Sequence, residues 1–137
     1  MNTLIATHAA VTWALVGLIW MVQLVHYPLF AKVGVEQFRH YHALHSRQIT
    51  WIVAPLMLVE LLTAVLSVAG GRRELWMLVS LLPLAFVWLA TWRVQIPLHH
   101  KLSAGFDPET HRRLVSTNWW RTGAWTLRGG CVLYGLS

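Results

Sequence analysis

Apolar residues fall in long, nearly unbroken runs along this chain, separated by short polar connections. The first run covers about Ala9 to Val25 and stops at His26-Tyr27-Pro28. The second covers about Ile49 to Ala69 and ends at Gly70-Gly71; its helix starts earlier, near Val35, because Phe38, His42, His45 and Ile49 keep helical spacing. The third covers Leu75 to Ile96 and ends near Pro97. Roughly 20 apolar residues cross the hydrocarbon core of a bilayer, and these runs meet or approach that length. Pro55 and Pro83 lie inside the second and third runs, where membrane helices accommodate proline as a kink.

The fourth run is more polar. Asp107 reads as an N-cap, Pro108 as the first helical residue and Glu109 as a first-turn acid. The membrane part, about 118–136, carries Arg121, Arg128 and four glycines. His111, Asn118, Arg121, Trp125 and Arg128 nevertheless fall on one helical face. A charged face is tolerated in a membrane when it looks into the bundle. The pattern therefore predicts an all-α membrane protein, a single four-transmembrane-helix bundle over residues 1–137.

Composition supports this reading. Apolar residues reach 56% and charged residues only 12%, about half the usual charged share of a soluble domain. Nine tryptophans fit membrane interfaces, with Trp20, Trp51, Trp119 and Trp120 expected at one and Trp13 and Trp76 at the other. The net charge of +6 belongs to loops, because no long basic run or glycine-rich phosphate loop points to nucleic acid. The single Cys131 excludes an internal disulfide and a cysteine-based zinc site. Residues 1–10 hold no Lys or Arg, so the first run reads as a retained helix rather than a secretory signal. Lys32, Arg39, Arg47, Lys101, Arg112, Arg113 and Arg121 lie on the side of the 1–2 and 3–4 connections; only Arg72 and Arg73 lie in the 2–3 loop. The positive-inside rule makes the connection side cytoplasmic and both termini external.

Polar residues converge at that cytoplasmic end. His26 closes span one, His42 and His45 precede span two, Gln95 and His99 close span three, and Asn118 and Arg121 open span four. Polar groups at such depth mark a functional site by default. His26, His42, His45 and His99 form a candidate ligand set for a transition metal such as Fe, Cu or Zn, with bis-histidine heme as another option. The same imidazoles suit acid–base chemistry, or interfacial hydrogen bonding with no chemistry at all. No HExxH and no repeated Glu-x-x-His pair is present, which argues against a ferritin-type diiron centre. Asn118 and Arg121 are candidate catalytic donors for a substrate oxyanion or carbonyl. Arg93 and Gln95 are candidate ligand-binding groups, although Arg93 lies close enough to the boundary to snorkel outward. His40, His100 and His111 read as interfacial, and His8 lies at the opposite end.

Glu60 and Arg128 share the outer half of the bilayer, where an ion pair is the economical arrangement. Gly123 and Gly130, with Gly129 and Gly135 nearby, suggest close helix packing, and Cys131 reads as a small packing residue. Expected partners are membrane lipids and a lipid-soluble small molecule, with a homo-oligomer as a further option.

The segments His26-Tyr27-Pro28-Leu29-Phe30, Tyr41-His42-Ala43-Leu44-His45 and Pro55-Leu56-Met57-Leu58-Val59-Glu60 resemble a widespread family of small, uncharacterised four-helix bacterial integral membrane proteins. So do Gln95-Ile96-Pro97-Leu98-His99, the stretch from Lys101 to Asp107, and Asn118-Trp119-Trp120-Arg121-Thr122 followed by Trp125 and Arg128. The resemblance covers nearly the whole chain and implies the same four-helix fold. The third-helix end and the Asn-Trp-x-Arg-Thr pattern are also loosely similar to the anthrone-oxygenase-like membrane family. That family includes oxidases of polycyclic aromatic substrates; this chain departs from it in the histidine-rich segment before span two. Together these features lead to two expectations: a metal-dependent oxidoreductase or oxygenase acting on a lipid-soluble substrate, or a non-enzymatic metal- or heme-binding, transport or accessory subunit.

Overall fold

Proline has no amide hydrogen and its ring collides with the carbonyl four residues back, so a helix that meets one normally kinks or stops. The computed structural model, which describes residues 2–137, shows how this chain passes Pro28 and Pro97 without stopping. In each case the turn before the proline holds one extra residue. Over Val22–His26 and again over Thr91–Gln95 the helix widens to a π turn. The Tyr27 amide then donates to the Val22 carbonyl, and the Ile96 amide to the Thr91 carbonyl. The expected stops at His26 and near Pro97 are therefore corrected: both helices continue beyond.

Four helices result, with no strand among the described residues. They are α1 (Thr3–Phe30), α2 (Val35–Ala69), α3 (Leu75–Leu102) and α4 (Pro108–Leu136). The first three are long and apolar enough to cross a membrane. The 29 residues of α4 extend about 43 Å at 1.5 Å per residue, but α4 is not among the helices apolar enough to cross a membrane. Pro55 and Pro83 sit within unbroken helix. Asn2 caps α1 through Ile5 N–H, and Asp107 caps α4 through Thr110 N–H at 2.8 Å, as the sequence predicts for Asp107.

Contacts across the bundle fix antiparallel neighbours. On α1 and α2, His8 meets Thr63, Thr12 meets Glu60, and His26 meets His45. On α1 and α4, His8 meets Arg128 and Gln23 meets Val115. The ends where α1 meets α2 and α3 meets α4 therefore lie together; we call this the histidine end, and the other the terminal end. The core is built in two apolar layers. One joins Leu15, Val16, Ile19, Met57, Val87 and Trp125; the other, nearer the histidine end, includes Tyr27, Phe30, Phe38, Leu98 and Leu114. Large apolar side chains such as Trp51, Leu62, Leu82 and Trp120 point outward, as in a protein solvated by lipid.

The polar stripe of α4 turns inward as expected: Asn118, Arg121, Trp125 and Arg128 are all buried. The glycine reading needs correcting. A Cβ added at Gly123 or Gly130 would meet nothing within 4 Å, so neither is required for packing inside the chain. Gly129 is required, since a Cβ there would lie 3.1 Å from Val16 and 3.3 Å from the Trp13 ring; Gly135 is likewise covered by Trp76.

Candidate functional site

Two polar layers cross the apolar interior, and they differ in how completely they are paired. The first lies toward the terminal end. Glu60 and Arg128 are both fully buried and form an ion pair of 2.7 Å between Arg128 Nε and Glu60 Oε1. Glu60 also accepts from Thr12 Oγ1 at 3.1 Å and, through Oε2, from Trp125 Nε1 at 3.2 Å. Arg128 Nη1 donates to the Ser80 carbonyl at 2.7 Å and to its hydroxyl at 3.1 Å. Arg128 Nη2 donates to His8 Nε2 at 3.1 Å. A guanidinium only donates, so His8 Nε2 is an acceptor and its proton resides on Nδ1, which reaches Thr63 Oγ1 at 2.8 Å. Every helix contributes, and no buried side-chain nitrogen or oxygen of this layer lacks a partner. The sequence anticipates the ion pair but misses His8. Helical spacing gives its depth, not its rotation toward Arg128.

The second layer lies at the histidine end. Tyr27 Oη and His99 Nε2 are 2.9 Å apart, and His99 Nδ1 and His42 Nε2 are 3.0 Å apart. Phe30, completely buried, packs edge-on against His42, His45 and His99 at ring distances of 5.6, 4.9 and 6.4 Å. Phe38 stacks on His42, and His26 meets His45 edge-on at 5.3 Å. The four expected histidines thus come to one end of the bundle, but as a chain and an aromatic cluster. Among the described residues, no three His, Cys, Asp or Glu side chains form a group able to hold one metal ion. His99 spends both ring nitrogens on Tyr27 and His42, so it has none free for an ion.

Beside this chain, Asn118 Nδ2 donates to Gln23 Oε1 at 2.8 Å, and Gln23 Nε2 donates to the Val115 carbonyl at 3.2 Å. Arg121 Nη1 donates to Asn118 Oδ1 at 2.9 Å, and its guanidinium lies over the Trp125 ring at 5.2 Å. Arg121 also sits beside the Tyr27 hydroxyl. Gln95 Nε2 donates to Thr117 at 2.9 Å. Arg93, by contrast, is exposed over the Trp92 ring and does not join the buried Gln95 at the site. His111, expected at the interface, is half-buried and donates from Nε2 to the Tyr27 carbonyl at 2.7 Å, near the end of α1. His40 and His100 are exposed.

Unlike the first layer, this one is left open. His26 Nδ1, His42 Nδ1, Gln95 Oε1 and Arg121 Nε are buried without a partner. His26 and Gln95 are the last residues of the two π turns, so the extra residue in each helix aims a polar group with an unused atom. Such turns recur at functional sites in other proteins. Tyr27 and Gln23 are the residues the sequence reading leaves out; their i, i+4 spacing puts them on one face of α1 but does not say which way that face turns. Two surface grooves, one lined by Leu61, Leu81, Leu84, Ala85 and Trp88 and the other chiefly by Pro83, Phe86, Trp119 and Trp120, contain no histidine. No family model, curated protein or solved structure matches the chain.

Proposed function

We propose that this is a four-span membrane protein whose histidine end faces the cytoplasm and transfers protons to and from a lipid-soluble substrate. The carrying observation is the Tyr27–His99–His42 chain with an unused atom at its end. Each ring nitrogen in the chain either gives or accepts a proton, so the chain has two directions. With Tyr27 donating to His99, His99 Nδ1–H donates to His42 and the His42 proton rests on Nδ1. With the direction reversed, His42 Nδ1 is a bare acceptor. In the conversion His42 Nδ1 releases one proton, the two bridging protons each shift one step toward His42, and Tyr27 Oη takes up one proton in their place. One proton is thus carried along the chain, which is the task of an acid–base relay. The polar face of α4 turned into the bundle supports a fourth span. Six loop-side cations, Lys32, Arg39, Arg47, Lys101, Arg112 and Arg113, against Arg72 and Arg73 support the orientation. Arg121 drops out of that comparison because it is buried.

The test uses proteoliposomes incubated with a bacterial lipid extract in heavy water. Mass spectrometry is expected to find one species that gains carbon-bound deuterium or is converted, with the change lost in Tyr27→Phe and His99→Asn. An extract unchanged by the wild-type protein contradicts the proposal. The unpartnered Nδ1 atoms of His26 and His42 favour a second reading, in which they bind a transition ion. Stoichiometric metal in the purified protein, lost in His26→Ala and His42→Ala, would select that reading.

A further inference from the structure

The charged side chains buried inside the bundle are Glu60, Arg121 and Arg128. Glu60 neutralises Arg128. Among the described residues no carboxylate forms a salt bridge with Arg121, which is left as a cation only 5% exposed. A buried charge without a counter-charge is costly, so the protein keeps this one against a penalty. The guanidinium is also held rigidly. Asn118 fixes its Nη1 corner, Gln23 fixes Asn118, and the Trp125 ring covers one face while Glu60 fixes the indole N–H. The Nε atom is buried and without a partner, and the guanidinium lies close to the Tyr27 hydroxyl.

We propose that Arg121 binds the carboxylate of a lipid-soluble monoanion, of the class of a long-chain fatty acid. One uncompensated charge calls for one negative charge; a phosphate dianion would overshoot. A planar carboxylate matches the side-on edge of a guanidinium with two parallel hydrogen bonds, and Tyr27 adds a third donor when His99 Nε2–H donates to it. The surrounding helices are apolar and their outer faces suit lipid, so an anion carrying its own hydrocarbon body fits where a bare inorganic ion would lose its hydration without return. This inference rests on the reading of the histidine end as a ligand site, and it names what that site holds.

The test is equilibrium dialysis of radiolabelled dodecanoate against the full chain in phosphatidylcholine nanodiscs, with empty discs subtracted. Saturable binding of one dodecanoate per chain is expected, resisted by excess dodecanol and by chloride. Arg121→Gln is expected to weaken it on the order of 30-fold or more, with Arg121→Lys intermediate. Circular dichroism of each variant checks that it is folded. Three results overturn the inference without recourse to a variant: no saturable binding, equal displacement by dodecanol, or displacement by chloride alone. A fourth is tyrosinate absorbance in the unliganded wild type at neutral pH, which would make Tyr27 the missing counter-charge. His42→Asn separates the two proposals. Dodecanoate binding that survives in it while deuterium transfer fails supports both; binding in a protein that never transfers deuterium leaves the anion site standing and removes the relay.

Discussion

Glu60 accepts three side-chain hydrogen bonds and faces a fully buried cation, so Glu60→Gln leaves Arg128 charged and unmatched. Loss of one partner from such a pair costs about 3–5 kcal/mol. Thermal unfolding should show that loss, and Arg128→Leu added to Glu60→Gln should recover part of it; strict additivity would mean that the two do not interact. Asp107 gives a pH signature at the other end of α4. Hydrogen bonds from Thr110 hold its carboxyl below the ordinary carboxylate range. Its capping contribution is therefore complete above about pH 4 and fades as pH falls through the lowered value. In a pH series of unfolding midpoints, Asp107→Asn should flatten that acid arm; an unchanged arm would assign the acid sensitivity elsewhere. At this scale the sequence reveals residue type and depth but not rotation. Glu60–Arg128 is legible because two opposite charges at one depth have little choice. His8 and Tyr27 are not, since whether either points inward depends on how α1 is turned against its neighbours.

The helices themselves are largely legible, because apolar runs and the Asp107-Pro108 cap are local signals. The π turns are not. Pro28 and Pro97 announce a disturbance, yet a stop, a kink and an inserted residue are all compatible with proline, and only packing of the next turn selects the insertion. The insertion lets α1 and α3 reach past the prolines and bring Tyr27 and His99 together. The glycines of α4 show the same limit: spacing alone does not distinguish a covered glycine from an open one. Gly130→Ala should raise stability by up to about 1 kcal/mol, because alanine is the better helix former and nothing obstructs its methyl group. Gly129→Ala should lower stability, since Val16 and Trp13 must give way. A drop for Gly130→Ala in unfolding assays within a bilayer would show that another helix covers that face.

For the whole molecule, cysteine labelling tests the orientation. With Cys131 replaced by alanine, single cysteines near Arg39 and Asp107 should be protected in intact cells and one near Arg72 labelled. Outside labelling of the first two would invert the assignment while leaving the fold unchanged. The larger division is between a closed polar layer and an open one. In the closed layer, His8, Thr12, Glu60, Ser80, Trp125 and Arg128 satisfy one another across all four helices, and their purpose is cohesion. In the open layer, Arg121, Gln95, His26 and His42 keep unused buried atoms, which lowers stability and makes sense for groups that await a ligand. That convergence at one end is legible from helix direction alone; the contrast in pairing is not, because it depends on individual hydrogen bonds. One comparison tests it most directly. Arg121→Met and Arg128→Met make the same change on one helix, seven residues apart. Their unfolding midpoints without ligand should diverge, with Arg128→Met falling steeply as Glu60 is stranded and Arg121→Met holding or rising as an uncompensated charge is removed. A fall of similar size in both would mean that Arg121 is as firmly paired as Arg128, and the division into a closed layer and an open one would be wrong.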